Sequence, residues 1–149
     1  MKLNLGCADD ILPGYTNVDV FAYDDRVTVA DLRKEWPWED GTVEHIIARD
    51  FIEHLPDKIF TMNEMHRVLH NGGTVDILVP TTDGRGAFQD PTHVSFWNSN
   101  SFMYYEHGDA HNVRFAGSYG ITARFKTLQA REWSSGNVTY YECLLAAVK

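Results

Sequence analysis

The chain has 149 residues, of which 44% are hydrophobic and 23% charged, and this balance predicts one globular domain rather than a disordered chain. The formal net charge of −8 opposes binding to a phosphate backbone, so we expect no nucleic acid partner. The sequence has no leading apolar segment and no long hydrophobic span, which predicts a cytoplasmic protein without a membrane partner.

The first part of the chain predicts four short strands joined by turns. The strands are Lys2–Leu5, about Thr16–Val20, Val27–Ala30 and Val43–Ala48. The segment Leu12–Tyr15 has Pro and Gly at its centre, which predicts a type II turn between the first two strands. The apolar pair Ile46 and Ile47 is typical of a buried parallel strand.

A helix is predicted from about Asp57 to His70. Asp57 is a suitable N-cap, and the sequence Asn71-Gly72-Gly73 is expected to end the helix. The apolar residues that recur along one face are Ile59, Met62, Met65 and Leu69. A fifth strand is predicted at Thr74–Val79, where Pro80 stops it.

The second half of the chain is less regular. Residues 80–98 show no periodic pattern, and a connection of that length in a compact domain is usually functional or mobile. A short helix is predicted at Ser99–Glu106, and residues 107–120 are ambiguous. The chain ends in a predicted hairpin, Ile121–Trp133 and Val138–Val148. These elements predict an α/β fold in a single domain, residues 1–149, with a mostly parallel twisted sheet and an antiparallel C-terminal hairpin.

A candidate ligand site follows from this order, because ligands of such sheets bind beyond the carboxyl ends of the strands. The turn Gly6-Cys7-Ala8 follows the first strand, and its small side chains allow the backbone to approach a ligand closely. Asp19 ends the second strand, where an acid is suited to accept hydrogen bonds from both hydroxyls of a ribose. Only 13 positions separate Gly6 from Asp19, which leaves no helix to hold a pyrophosphate. This spacing argues against NAD and for a cofactor without phosphates.

Six motifs, in order, resemble those of the small Rossmann-fold (class I) S-adenosylmethionine-dependent methyltransferases. They are Leu3–Cys7, Gly14–Asp19, Ala30–Leu32, Ile52–Leu55, Glu64–Leu69, and Gly72-Gly73 before a strand that ends in Val79-Pro80. The resemblance extends from Lys2 to about Tyr105, and the terminal hairpin fits the reversed seventh strand of that fold.

The resemblance implies S-adenosyl-L-methionine as the cofactor. The implied cofactor-binding residues are Leu5, Gly6, Cys7, Ala8, Asp19, Val20, Asp31, Leu32, Asp50, Phe51 and His54. The turn after the first strand would lie against the methionine part, Asp19 would hold the ribose, and Asp31 with Leu32 would contact adenine. Asp50, Phe51 and His54 would form the wall nearest the sulfonium.

One departure from the family pattern concerns the cofactor turn. Ala8 stands where the family has a second glycine. The added methyl group is tolerated unless the turn needs a positive φ, in which case the affinity for the cofactor is reduced.

The sequence Asp90-Pro91-Thr92-His93 follows the fifth strand, and similar small methyltransferases carry such a stretch there. A hydroxyl acceptor of a methyl group needs a base, and His93 is the candidate, with Asp90 as the residue that orients it. The competing interpretation is that Asp90 and His93 only hydrogen-bond to each other and pin the loop.

Aromatic residues are frequent beyond this motif. They either stack on a sugar or planar acceptor or pack in the core: Phe96, Trp97, Phe102, Tyr104 and Tyr105. We expect residues 81–120 to be the segment that selects the substrate.

We expect no metal site. His66 and His70 are spaced i, i+4 on the predicted helix, and His107 and His111 repeat that spacing. Neither pair has the Glu of a zinc-protease motif, and no cysteine pair accompanies them. The cysteines, Cys7 and Cys143, lie near opposite ends of the chain and do not form a disulfide framework.

The sequence therefore predicts an S-adenosylmethionine-dependent methyltransferase that acts on a small-molecule or glycan-like hydroxyl acceptor. The first alternative is a cofactor-binding but catalytically inactive partner protein. The second is an enzyme that uses the same cofactor for another transfer, such as an aminopropyl transfer. A homo-oligomer is compatible with all three.

Overall fold

The computed structural model describes the backbone of residues 1–149 and all side chains except those of His111 and Asn112. The strands are β1 (Lys2–Leu5), β2 (Thr16–Asp19), β3 (Val27–Val29), β4 (Val43–Arg49), β5 (Leu69–Pro80), β6 (Phe125–Ser135) and β7 (Val138–Ala147). The helices are α1 (Lys58–Val68), α2 (Gly86–Gln89), α3 (Ser99–Met103) and α4 (Ala110–Ala116). Single 3-10 turns lie at Ile52–His54 and Gly117–Tyr119.

The described residues form one seven-stranded sheet in the order β3-β2-β1-β4-β5-β7-β6. Strands β1 to β5 pair in parallel, and β7 runs antiparallel between β5 and β6. The predicted fold class is confirmed, with the reversed strand one position in from the sheet edge. The type II turn is also confirmed, because Gly14 has a φ of 82° and the Tyr15 N–H donates to the Leu12 carbonyl at 3.3 Å.

The boundary between α1 and β5 differs from the prediction. The helix begins as expected, since the Asp57 side chain accepts a hydrogen bond from the Phe60 N–H. It ends at Val68, however, and β5 already starts at Leu69, which pairs with Val43. The predicted helix stop, residues 71–73, therefore lies inside the strand, where a register shift accommodates it.

The final hairpin starts later than predicted because a side chain takes the first backbone donors. Oδ1 of the Asn63 side chain accepts hydrogen bonds from the N–H groups of Thr122 and Ala123, at 2.9 and 3.0 Å. These donors are not available to the sheet, so β6 begins at Phe125 rather than at Ile121.

The crossovers from β1 to β2, from β2 to β3 and from β3 to β4 contain turns and no helix over the described backbone. One sheet face is nevertheless fully buried, with α1 against it through Met62 and Met65. The residues of this face are Leu3, Leu5, Ile46, Ala48, Val75, Ile77, Cys143 and Leu145. On the opposite face, the residues of β4, β5 and β7 are only half-buried or exposed, although parallel sheets are usually covered on both faces.

Charged pairs lie across this open face. The Arg49 guanidinium is 2.5 Å from the Asp76 carboxylate, and Arg131 is 2.5 Å from Glu142 on the neighbouring strands. Asp76, Arg131 and Glu142 line, with other residues of β6 and β7, a surface groove of about 350 Å³. Ile47 lies on this face and is half-buried, so only Ile46 of the predicted buried pair is fully enclosed.

Within the described part of the chain, no helix combines the length and the apolar character needed to cross a membrane.

Candidate cofactor and catalytic site

The turn after β1 has two residues in the left-handed region. Gly6 has a φ of 65° and Ala8 a φ of 43°. The turn therefore needs a positive φ at position 8, where alanine carries a steric cost that glycine would not. A Cβ on Gly6 would lie 2.5 Å from Cδ2 of Phe51, so the turn packs directly on that ring. Both the φ and this contact require glycine at position 6.

The acid after β2 is joined to this turn. Oδ2 of Asp19 accepts a hydrogen bond of 3.0 Å from the Ala8 N–H, and Oδ1 accepts one of 3.2 Å from the Phe21 N–H. Val20 and Phe21 are exposed beside the carboxylate, which leaves an apolar surface next to it. Phe21 was not singled out from the sequence, although an aromatic residue so close to a strand-terminal acid is the signal that would have found it.

A buried pair of asparagines holds the loop that connects β1 to β2, a connection that contains no helix. Asn4 and Asn17 are partners in the parallel register of β1 and β2, and Nδ2 of Asn4 donates to Oδ1 of Asn17 at 2.9 Å. The same Nδ2 donates to the Asp10 carbonyl at 2.8 Å, and Asn17 exchanges hydrogen bonds with the Leu12 backbone. These bonds tie the crossover loop to the two strands at its ends.

The residues after β3 are Asp31 and Leu32. Arg33 donates to both Asp31 oxygens, at 2.8 and 3.1 Å, and this pairing lowers the pKa of Asp31 to about 2. The Leu32 side chain is buried, and its carbonyl accepts from Nε1 of Trp36 at 3.1 Å. Leu32 can therefore offer a ligand its backbone N–H but not its side chain.

The end of β4 is strained. Asp50 has a φ of 47°, a conformation that costs a non-glycine residue about 1–2 kcal/mol and that is frequent at functional sites. The Asp50 N–H donates to the Leu78 carbonyl at 2.9 Å, which holds the strand end in this conformation. The exposed Asp50 therefore directly precedes Phe51, on whose ring the Gly6 turn packs.

Glu53, in the 3-10 turn that follows β4, has a buried carboxylate and was not among the site residues predicted from the sequence. The Glu53 residue is 2% exposed, and neither of its carboxylate oxygens has a hydrogen-bond partner among the described residues. Burial raises the pKa of Glu53 to about 8. The Glu53 carbonyl accepts from the N–H groups of Val94 and Ser95, at 2.9 and 3.0 Å, which docks the segment after His93 onto the end of β4.

His54 and His93 meet beside this carboxylate. Their rings form an edge contact with centroids 5.0 Å apart, and Nε2 of His93 lies 3.9 Å from Oε1 of Glu53. Nδ1 of His93 is 3.1 Å from the Ala87 carbonyl, and Nδ1 of His54 is 3.2 Å from the Thr92 carbonyl. A carbonyl can only accept, so both Nδ1 atoms carry a proton, and in the neutral form of each ring the Nε2 atom has the lone pair.

Asp90 does not hydrogen-bond to His93. The closest approach is 3.8 Å, between Oδ2 of Asp90 and Nε2 of His93. Instead, Oδ1 of Asp90 accepts from the backbone N–H and the hydroxyl of Thr92, at 2.8 and 2.7 Å. The Ala87 carbonyl, rather than Asp90, orients the His93 ring.

The aromatic residues of residues 81–120 divide into two groups. Trp97, Phe102 and Tyr105 are buried in the core. Phe96 is exposed and stacks on the exposed Phe88, with ring centroids 5.1 Å apart. Phe88 directly follows Ala87, whose carbonyl holds His93.

The histidine pairs considered in the sequence do not form sites in the described residues. His66 lies on α1 and its Nε2 is 2.9 Å from the Val148 carbonyl, whereas His70 lies on β5. The predicted i, i+4 spacing on one helix was therefore wrong for this pair, because α1 ends at Val68. His107 is exposed, and the side chain of His111 lies outside those that the structure describes.

Comparisons with known proteins concern the fold as a whole. Residues 15–77 match the family model of a methyltransferase domain. An S-adenosylmethionine-dependent methyltransferase from Methanosarcina mazei is 13% identical with a TM-score of 0.63, over 99% of this chain and 92% of the other. One from Archaeoglobus fulgidus is 12% identical with a TM-score of 0.65, over 97% of this chain and 85% of the other.

The same fold also serves another reaction. The cyclase SpnF is 14% identical with a TM-score of 0.67, over 99% of this chain and 74% of the other. No curated protein sequence matches the chain. The family model thus matches the N-terminal part of the chain, and the solved structures show that the chain has the Rossmann-like fold of class I S-adenosylmethionine-dependent methyltransferases.

Proposed function

We propose that the protein transfers the methyl group of S-adenosylmethionine to a hydroxyl group of a small-molecule or saccharide acceptor. The observation that carries this proposal is His93. The Ala87 carbonyl holds its Nδ1 proton, which leaves the Nε2 lone pair free beside the end of β4. A base in this position suits a hydroxyl acceptor, whose proton must leave when the new bond to carbon forms.

The residues present fit the cofactor. The turn at Gly6 has no side chain, so its backbone can approach the cofactor closely. Each carboxylate oxygen of Asp19 accepts one backbone hydrogen bond and has a second lone pair for a ribose hydroxyl. Val20 and Phe21 supply apolar surface for the adenine side. When bound, the cofactor supplies an activated methyl group on a sulfonium. Asp31, Leu32, Asp50 and His54 complete the proposed binding residues.

The chain's own residues have two tasks in the transfer. The segment 81–120 positions the acceptor, with the exposed faces of Phe88 and Phe96 as a stacking surface for a sugar or a planar ring. Nε2 of His93 would take the proton of the acceptor hydroxyl, and the bound cofactor would supply the methyl group to that oxygen. Asp90 keeps Thr92, and through it the adjoining His93, in place.

The first test is cofactor binding, measured by thermal melting and calorimetry with S-adenosylmethionine and S-adenosylhomocysteine. At a ligand concentration of about 100 times the dissociation constant, linkage adds about 2.7 kcal/mol. For a domain of this size we expect the melting temperature to rise by about 5–11 °C. No shift and no heat of binding would contradict the proposed cofactor site.

The second test is transfer of a radiolabelled methyl group to a panel of acceptors, with sugars first. We expect His93→Ala to lower turnover on the order of 100-fold while cofactor affinity is retained. His70→Ala, at an exposed histidine on β5, is the matched control and is expected to change neither. A joint loss of turnover and cofactor binding in His93→Ala would support loop pinning instead. Binding without transfer to any acceptor would favour a catalytically inactive partner protein.

A further inference from the structure

Three side chains of this site form a group of a kind that binds metal ions. One potential ligand atom each from Glu53, His54 and His93 lies within 4.8 Å of the other two. The three residues come from two segments, the 3-10 turn after β4 and the loop after α2. The hydrogen bonds from Val94 and Ser95 to the Glu53 carbonyl hold the two segments together.

The Glu53 carboxylate is the strongest indication. A carboxylate that is 2% exposed and has no hydrogen-bond partner among the described residues is costly unless a proton or a cation neutralises it. The neighbouring Asp50 and Asp90 carboxylates add negative charge, so the local field also favours a cation.

The two imidazoles are oriented as metal ligands usually are. In metal sites the second ring nitrogen typically donates to a backbone carbonyl or a carboxylate, which fixes the tautomer and aims the free nitrogen at the ion. His54 donates through Nδ1 to the Thr92 carbonyl and His93 through Nδ1 to the Ala87 carbonyl. In the neutral form of each ring, the Nε2 lone pair is then available to an ion.

We propose that Glu53, His54 and His93 bind one divalent transition-metal ion. One carboxylate and two imidazoles suit Zn²⁺, Fe²⁺, Mn²⁺ or Co²⁺, and three protein ligands leave coordination positions open for a substrate. Ligand atoms on one tetrahedral ion are about 3.3 Å apart, given bonds of about 2.0 Å. Oε1 of Glu53 and Nε2 of His93 are 3.9 Å apart and all three ligand atoms lie within 4.8 Å of one another, so binding an ion requires side-chain rotations that close these separations by up to about 1.5 Å. This proposal replaces the expectation of no metal site.

The role of the ion rests on the proposed methyl transfer. In an open coordination position it binds the oxygen of the acceptor hydroxyl and lowers the pKa of that group. The hydroxyl proton is then released to solvent when the acceptor binds, and the metal-bound oxygen is the nucleophile. The ion thereby takes over the task that His93 has as a free base. An acceptor with two adjacent oxygen atoms, such as a saccharide diol, would fill two open positions.

The test measures metal binding without cofactor or acceptor. Tag-free protein is stripped with a chelator and dialysed against Zn²⁺ or Co²⁺, and bound metal is determined by mass spectrometry. We expect one ion per chain and, with Co²⁺, visible absorption bands of a low-coordinate site. Glu53→Gln preserves the shape of the side chain, and this variant and His93→Ala are each expected to weaken binding by more than about 100-fold. His70→Ala and Glu39→Gln, at exposed positions, are the controls and should bind like the wild type.

The outcomes separate this inference from the proposed function. Binding of less than one ion per chain, or equal binding by the wild type, Glu53→Gln and His93→Ala, overturns the metal site. Methyl transfer by the chelator-treated protein at the full rate also overturns the role of the ion, but it leaves the proposed function intact. One bound ion that depends on Glu53 and His93, in a protein that transfers no methyl group, supports the site and contradicts the function.

Discussion

The backbone N–H of Ala8 donates a 3.0 Å hydrogen bond to Oδ2 of Asp19, and this bond joins the turn after β1 to the acid after β2. The two groups proposed to hold the methionine and ribose parts of the cofactor are therefore one unit before any ligand arrives. A change at either residue is expected to reach the other.

Asp19→Ala removes the proposed ribose contacts together with the bond to Ala8. Hydrogen bonds to a charged group contribute about 1.5–3 kcal/mol each, so we expect cofactor affinity to fall on the order of 100-fold in calorimetry. Asp19→Asn keeps an acceptor for the Ala8 N–H and separates the two effects. Glu132→Ala removes the same charge from an exposed position on β6 and should bind normally. Unchanged affinity in Asp19→Ala would remove the ribose assignment.

Ala8→Gly is expected to improve the site. The φ of 43° costs alanine about 1–2 kcal/mol, and glycine relieves this strain. About half of that gain is lost again, because glycine also makes the unfolded chain more flexible and so stabilises it. We expect a gain of about 0.5–1 kcal/mol in unfolding free energy and tighter cofactor binding. Ala22→Gly, at an exposed alanine without positive φ, should instead be neutral or destabilising. Equal effects at both positions would show that the backbone at Ala8 is not strained.

The variants Gly6→Ala and Gly14→Ala separate the cost of a positive φ from the cost of a clash with the Phe51 ring. Both glycines have positive φ, 65° and 82°, but a Cβ at position 6 meets the Phe51 ring at 2.5 Å whereas position 14 has nothing within 4 Å. We expect Gly14→Ala to cost about 1–2 kcal/mol in denaturant unfolding, and Gly6→Ala to cost at least about 1 kcal/mol more. The extra cost should shrink in a Phe51→Ala background. Equal costs would contradict the packing of the turn on Phe51.

Glu64→Gln tests a buried charge network. Burial acts to raise the pKa of Glu64, but hydrogen bonds from Arg67 and from the Trp36 N–H outweigh it, and the pKa lies below its ordinary value. A carboxylate with a lowered folded pKa adds stability above the unfolded pKa of about 4.3, and loses it as the pH falls through the folded pKa. We expect Glu64→Gln to lose about 1–3 kcal/mol at pH 7 and progressively less as the pH falls below the unfolded pKa and through the lower folded pKa.

The control for this series is Glu39→Gln, which changes an exposed acid nearby. Its stability difference from the wild type should be small and nearly independent of pH. A Glu64→Gln deficit that persists unchanged at low pH would mean that shape rather than charge determines its stability.

The sequence predicted most strands because short apolar runs and turn residues mark them directly. Its error at the end of α1 has a physical cause. Glycines after a helical pattern usually end the helix, but here the pairing of Leu69 with Val43 draws the last apolar residue into β5. Tertiary pairing, which is not visible in local sequence, decided the boundary.

The candidate site shows the same limit. The proposed cofactor residues lie at strand ends, so their order along the chain was enough to group them. Glu53 was passed over because a single Glu beside His54 has no spacing signal of its own. Glu53 becomes a candidate site residue only beside His93, and the hydrogen bonds from Val94 and Ser95 to the Glu53 carbonyl hold the His93 loop next to it.

The open sheet face has a thermodynamic consequence. Residues such as Arg49, Asp76 and Glu142 remain partly hydrated in the folded chain, so unfolding exposes less new apolar area than it would in a sheet covered on both sides. The heat capacity change of unfolding scales with that area and averages about 1.8–2.2 kcal/mol/K for a chain of this length. A value below this range gives a flatter stability curve. The stability of this domain then varies less with temperature, and its denaturant dependence is shallower, than its size alone would suggest.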